Sequence, residues 1–308
     1  MLNYRTDLAM ESFDGAQRSE LPGVDVNRWE IGGVTLTEVV ISDDTAARLL
    51  DKPAGRYLTL ESPLLRKRDP DVRSAMAALL SEELSRLLPE RDERAAALVI
   101  GLGNRSITPD ALGPSVIDRT LVTRHLSDHL FPLSDLRPVS ALAPGVLGVT
   151  GIETMDIVEC LARLLKPSAV ICVDSLAARD SGRIGTTLQL TDTGIQPGAG
   201  VGNHRRALTR ESVGAPVIAI GMPTVIHAAT LARDAFEWLD RQDGDGAPHD
   251  DALADMERAL LNTELGDMIV TPREIDALIQ DAAGIIATGI NRALQPELSE
   301  ADIAAMMD

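Results

Sequence analysis

Hydrophobic positions along this 308-residue chain fall into three kinds of run. The first kind is short and continuously apolar: Ala96 to Gly101, Ser168 to Asp174 and Pro216 to Gly221. Runs of that length and composition predict strands covered on both faces, because a buried helix would need a longer segment. The second kind alternates. Val34 to Ile41 and Arg56 to Glu61 place apolar and polar residues in turn, as half-buried strands do, and Val139 to Leu142 and Thr186 to Leu190 are shorter strand candidates. The third kind recurs at helical spacing. Residues 70–88 carry Val72, Met76, Leu79, Leu80 and Leu84 behind Pro70, which suits a first helical turn. Helices are also predicted over Gly151 to Leu165, Thr224 to Leu239 and Pro272 to Leu294, and residues 113–130 look partly helical. Residues 1–30 are polar without clear period and predict a loosely anchored arm; 198–203 and 240–251 are rich in glycine or aspartate and predict loops.

Strands alternating with helices predict an α/β fold, with a mainly parallel or mixed sheet sandwiched by helices and an antiparallel portion near the N-terminus. No strong linker interrupts the pattern, so one domain is expected behind the arm.

Composition narrows the function. The chain has three Phe, two Tyr and two Trp, too few for a base-stacking platform, and its formal net charge of −18 repels phosphate backbones. Direct nucleic-acid binding is therefore not expected. Two cysteines, Cys160 and Cys172, offer neither a disulfide framework nor zinc-ligand spacing. The N-terminal residues have no apolar signal core, and no apolar run is long enough to span a membrane.

Candidate chemistry gathers at the strand ends. Asp110 follows the first apolar run across a loop opened by Gly101 and Gly103, and Asp174 ends the second. In open α/β sheets the carboxyl ends of the strands are where sites are built. Two carboxylates converging there cannot both ionise cheaply, so one becomes an acid while the other stays a base. Such a pair can activate water against an amide and protonate the leaving nitrogen. The bland alternative is that both aspartates cap turns. Asn104 and the amides of Gly101 to Gly103 are candidate oxyanion donors. Arg205, with Arg206, could pair with an acidic substrate side chain. Other chemistries fit less well. The glycine spacing fails the dinucleotide fingerprint at Ser106, and no Gly-x-Ser-x-Gly elbow exists. Cys172 suits a buried apolar thiol. His125 and His129 are spaced i, i+4, but Leu126 stands where a zincin needs glutamate; no metal ligands are assigned.

An ordered series of segments resembles the germination protease family, atypical aspartic endopeptidases of endospore formers. It includes Arg5-Thr6-Asp7-Leu8-Ala9, Gly55 to Ser62, Gly101-Leu102-Gly103-Asn104, Thr108 to Pro114, Thr150 to Thr154, Asp174 to Arg179, Gly200 to Asn203, Ile218 to Val225 and Val270 to Glu274. The resemblance spans nearly the whole chain. It implies a homotetrameric, cofactor-free enzyme of the forespore and spore core that degrades small acid-soluble, DNA-binding spore proteins at germination. Its two catalytic aspartates fall on Asp110 and Asp174. It also implies an inactive precursor that removes its own leader at an acidic–hydrophobic–Ala sequence. Asp7-Leu8-Ala9 fits, giving residues 1–7 as propeptide and 8–308 as a single α/β protease domain. The leader is shorter than usual, and residues 240–266 are reduced. The Gly-x-Gly-Asn and Asp-x-Leu-Gly patterns are also similar to hydrogenase maturation proteases, which implies the same kind of fold and an alternative, metal-assisted peptidase.

Overall fold

A computed structural model describes residues 6–16, 21–90, 95–126, 136–198, 206–232, 234–235, 263 and 268–307. The three apolar runs become adjacent strands at the centre of a nine-stranded sheet: β4 (Ala97–Gly101), β6 (Ala169–Ala178) and β8 (Val217–His227). β6 lies between the other two and is parallel to both, and β5 (Val139–Leu142) adds to the outer edge of β4, also in parallel. The remaining strands are β1 (Val24–Ile31), β2 (Val34–Ile41), β3 (Gly55–Glu61), β7 (Thr187–Thr191) and the two-residue β9 (Ile269–Val270). Along the sheet the order is β1-β2-β3-β7-β8-β6-β4-β5, with β9 pairing β8. The expectation of a mainly parallel sheet is corrected: among the described residues five of the eight strand pairings are antiparallel. The α/β class and the mixed sheet stand.

Alternation sorts the side chains onto two faces. One face carries Leu58, Leu60, Val99, Ile171, Val173, Leu188, Leu190, Ile218 and Ile220. It is covered by α3 (Pro70–Leu87) and by the long helix α8 (Ile275–Leu294), which pack on each other, and by α4 (Leu112–Ile117). Asp69 caps α3 by accepting from the amides of Asp71 and Val72. The opposite face carries separate cores over the two halves, and a small cluster around Leu8 at the far end of β6. Over the parallel half, α6 (Thr154–Leu165) and α7 (Arg210–Val213) cover Leu98, Ile100, Val170, Cys172 and Val217. Over the antiparallel half, α1 (Ala9–Gly15) and α2 (Asp44–Leu50) cover Val39, Ile41 and Tyr57. Helix α5 (Leu147–Thr150) is a single turn, and α9 (Glu300–Met307) closes the chain.

Several elements depart from their predicted form. The N-terminal arm is anchored: it holds α1 and an eight-residue strand, β1, which was hidden because its side chains are almost all exposed and so lack an apolar face. β6 and β8 each run past their predicted ends, to Ala178 and His227, which displaces the start of the helix predicted at Thr224 to residue 228. The helix predicted from Gly151 starts at Thr154, since Gly151 is a left-handed C-cap of α5. Among the described residues of 113–130 the helical part is α4, and helices α2 and α9 were not anticipated. The loop predicted at 240–251 lies outside the described residues.

Candidate active site

β4 stops at Gly101, and the chain turns out of the sheet with the Leu102 amide donating to the Val173 carbonyl of β6 at 2.8 Å. The next turns need glycine. Gly113 passes so close to this turn that a Cβ there would lie 2.2 Å from the Leu102 oxygen and 2.6 Å from that of Val173. Gly103 has φ +108°, and its Cβ would lie 2.1 Å from the Asp110 carbonyl. The loop then folds back on itself, so that Asn104 N–H donates both to the carbonyl oxygen of Asp110, at 2.9 Å, and to its carboxylate Oδ2, at 2.8 Å. A single 3-10 turn, Thr108–Asp110, carries the aspartate itself. The Asn104 side chain accepts from Ser106 N–H. Two of the amides expected to face an oxyanion thus hold Asp110 and the strand end.

Asp174 lies on β6 one residue past the last partner on β4, with its Oδ1 accepting from Ser175 N–H at 2.9 Å. It is 5% exposed. Cys172 points to the same face, two residues earlier; burial, helped by the nearby Asp174 charge, pushes its thiol far up, which leaves it a core residue rather than a nucleophile. Asp110 and Asp174 share the wall of a cavity of about 440 Å³, with Ile107, Val146, Thr154 and Ile269 around them. A second cavity of about 340 Å³ adjoins, lined by Asp174, Gln189, Lys52 and Tyr57. Burial pushes the Tyr57 hydroxyl up to about 12, and it donates to the Pro53 carbonyl.

Asp7 lines both cavities. Its amide donates to the Ala177 carbonyl at 3.0 Å, and its Oδ2 accepts from Ala177 N–H at 2.8 Å, on the edge of β6 that β4 leaves uncovered. The Asp7 carbonyl accepts from Gln189 Nε2 at 3.0 Å, and Gln189 Oε1 accepts from Ala9 N–H at 2.8 Å. Lys52 Nζ donates to the Thr6 carbonyl at 2.7 Å. Burial holds the Lys52 ammonium below its ordinary range, opposed by the charges of Asp7, Asp51 and Glu11. Leu8 is fully buried against Leu176, Ala178, Ile184 and Ile226. Behind it, Glu11 accepts from the amides of Arg179 and Asp180, at 2.7 and 2.9 Å, and pairs with Arg183.

The other candidates scatter. Arg205, His129 and His204 lie outside the described residues. Arg206 bonds Asp156 and Glu159 on α6. His125 is exposed in a turn and His227 ends β8. Among the described residues no three His, Cys, Asp or Glu side chains gather as a metal site. Lys52 and Gln189 were missed by sequence reading. For Gln189 a signal existed: it is a polar residue between Leu188 and Leu190 within a strand otherwise buried throughout.

The α/β core thus brings two acidic side chains, Asp174 within β6 and Asp110 on the loop after β4, to one cavity that the Thr6 to Leu8 segment crosses. The family model described as "Germination protease" matches residues 5–260, and the chain belongs to the germination protease family. A germination protease of Caldanaerobacter subterraneus subsp. tengcongensis is 40% identical, over 100% of this chain and 99% of its own. That of Clostridium perfringens strain 13 is 41% identical over 98% of each, and that of Bacillus cereus strain AH187 is 37% identical over 98% and 96%. A solved [NiFe] hydrogenase maturation protease, HycI of Thermococcus kodakarensis, is 18% identical with a TM-score of 0.36, covering 68% of this chain and 98% of its own; at that score it carries no conclusion here. No helix among the described residues is long and apolar enough to cross a membrane.

Proposed function

We propose that the chain is an aspartate-dependent endopeptidase, made as a precursor and assembled as a homotetramer, whose substrates in the forespore and spore core are small acid-soluble spore proteins. One observation supports this reading above the others: Asp7, of the acidic–hydrophobic–Ala sequence, lies in the same cavity as Asp110 and Asp174. In this reading residues 1–7 are the leader, 8–308 the protease domain, and the Asp7–Leu8 bond the one cut in cis. The ionised member of the pair takes a proton from water as the water oxygen bonds the Asp7 carbonyl carbon. The protonated member gives its proton to the Leu8 nitrogen as the C–N bond breaks. The products are a carboxylate on Asp7 and an amine on Leu8.

The test uses wild type, Asp110→Asn and Asp174→Asn, each incubated with a small acid-soluble spore protein, with and without chelator, and followed by intact mass. Wild type is expected to release residues 1–7 and then cut the added protein after acidic residues, chelator making no difference, while both variants stay folded and silent. Full activity in either variant, or loss of wild-type activity to chelator alone, overturns the assignment.

A further inference from the structure

We propose that Gln189 is a catalytic residue of this peptidase: its side-chain amide grips the peptide on both sides of the bond to be cut and stabilises the oxyanion formed there. The inference rests on the reading of Asp7–Leu8 as a cleaved bond and says which group, besides the carboxylates, acts on it. Nε2 donates to the Asp7 carbonyl at 3.0 Å, the oxygen that gains negative charge when water adds. Oε1 accepts from Ala9 N–H, the next amide but one, at 2.8 Å. The second bond fixes the first. A backbone N–H can bond only the amide oxygen, so the side chain cannot be turned over, and the NH₂ group faces the carbonyl.

The sheet explains why this residue reaches that bond. Asp174 of β6 pairs with Gly221 of β8, and Gly221 pairs with Gln189 of β7. Directly paired residues share a face, so Asp174 and Gln189 stand on the same face of the sheet, two strands and about 9.5 Å apart. The residue between them has no side chain. The space a Cβ at Gly221 would take is held by the Leu176 side chain, whose Cγ lies 2.5 Å from that position. Leu176 therefore packs down onto Gly221, Leu8 packs against Leu176, and the Asp7 carbonyl one residue earlier turns toward Gln189. Gln189 is 6% exposed, so its donor is desolvated and held by the sheet rather than by a loop. It is also neutral. A donor without charge stabilises the oxyanion without adding a cation that would bias the ionisation of nearby carboxylates.

In the reaction, water adds to the Asp7 carbonyl carbon, one water proton passes to the ionised carboxylate, and the carbonyl oxygen takes the negative charge under Gln189 Nε2. Collapse restores the carbonyl, breaks the C–N bond, and moves the proton of the other carboxylate to Leu8 N. Gln189 keeps both its protons throughout.

The experiment uses the full chain, wild type and with Gln189→Leu or Gln189→Glu, and two readouts: release of residues 1–7 by intact mass, and steady-state cleavage of a peptide with the sequence of residues 4–13. Both variants are expected to lose about 100- to 1,000-fold in kcat, with KM within a few-fold of wild type. Gln189→Glu, whose carboxyl has an O–H donor only when protonated, is expected to regain activity relative to wild type as pH falls; Gln189→Leu is not. Wild-type enzyme needs no refolding control, so it is also given the same peptide N-methylated at the alanine corresponding to Ala9, which removes the N–H held by Oε1; kcat/KM is expected to fall at least 10-fold. Wild-type kcat in both variants, a change confined to KM, or equal cleavage of the methylated peptide overturns the role of Gln189 while leaving the carboxylate pair in place. If wild type cuts the peptide elsewhere than between aspartate and leucine, the underlying reading falls, and the role of Gln189 with it.

Discussion

The two halves of the sheet meet at β8, and they differ in what they contribute. The parallel half, β5-β4-β6-β8, carries both carboxylates, Asp174 within β6 and Asp110 on the loop after β4, and its two faces are covered by α4 and α6. The antiparallel half, β1-β2-β3-β7, supplies no member of the acidic pair; it contributes Gln189 and, from the turn after α2, Lys52. Under the proposed reading, the proton-transfer groups come from one half and the neutral oxyanion donor and peptide contacts from the other, with the Thr6 to Ala9 segment bridging them. A parallel strand end is a sound platform for a reacting group because the strands are buried on both faces and cannot shift. An antiparallel ribbon, fed by short connections, can hold the peptide's carbonyls from the side without crowding those strand ends.

The sharpest way to break this division is to remove the chemistry and keep the grip. Asp110→Asn or Asp174→Asn is expected to lose about 10³-fold or more in kcat, with the peptide still bound, measured by intact-mass kinetics and by binding of the uncut peptide. Next comes displacement rather than removal. Gly103→Ala puts a Cβ against the Asp110 carbonyl at a left-handed backbone position, and about 100-fold in kcat is expected to go with the misplaced carboxylate. The grip side is tested through Glu11, whose buried pairing with Arg183 anchors the segment behind Leu8. Glu11→Gln is expected to cost about 3 kcal/mol in urea unfolding.

Smaller effects separate the halves by pH. Tyr57, in β3, titrates at about 12 instead of its ordinary 10.0, so the folded state keeps a proton that the unfolded state gives up. Stability from this residue is lost as pH rises above about 10, and Tyr57→Phe should flatten that part of a Tm-against-pH curve. In the parallel half the direction is opposite. Asp118 is held below its ordinary 3.8 by the hydrogen bond from Arg105, at the start of the Asp110 loop. Its contribution is present above about 3.8 and lost as pH falls through the lower folded value. Both side chains are more than half exposed, so Asp118→Asn should cost no more than about 0.5 kcal/mol near neutral pH and nothing in strong acid.

Legibility followed the burial pattern of each element. Val99, Ile171 and Ile218 sit in continuous apolar runs because their strands are covered on both faces, so β4, β6 and β8 could be read directly, and with them the positions of Asp110 and Asp174. β2, β3 and β7 were legible from their alternation, while β1, the docked N-terminal segment and the extensions of β6 and β8 were not. β1 shows solvent all but one of its side chains and so carries no period of two. Leu8, Ala9 and Met10 pack well, but they are three apolar residues in a polar stretch, too few to signal a docked segment. Gln189 and Lys52 act through pairings with residues about 180 and 46 positions away, which no local pattern encodes.

β4 ends at Gly101 opposite Val173, while β6 continues to Ala178. Under the proposed reading, the unequal lengths of these two strands act as a conformational filter. The exposed margin of β6 is filled by Asp7, whose main-chain N–H bonds the Ala177 carbonyl while its carboxylate accepts from the Ala177 N–H, and a main chain already coiled into a helix has spent its N–H and has none to offer. A substrate cross-linked into a helix across the cut should accordingly resist cleavage that its linear form undergoes. How fast a given protein is digested would then depend on how often that stretch comes uncoiled, as much as on whether it carries the right residues.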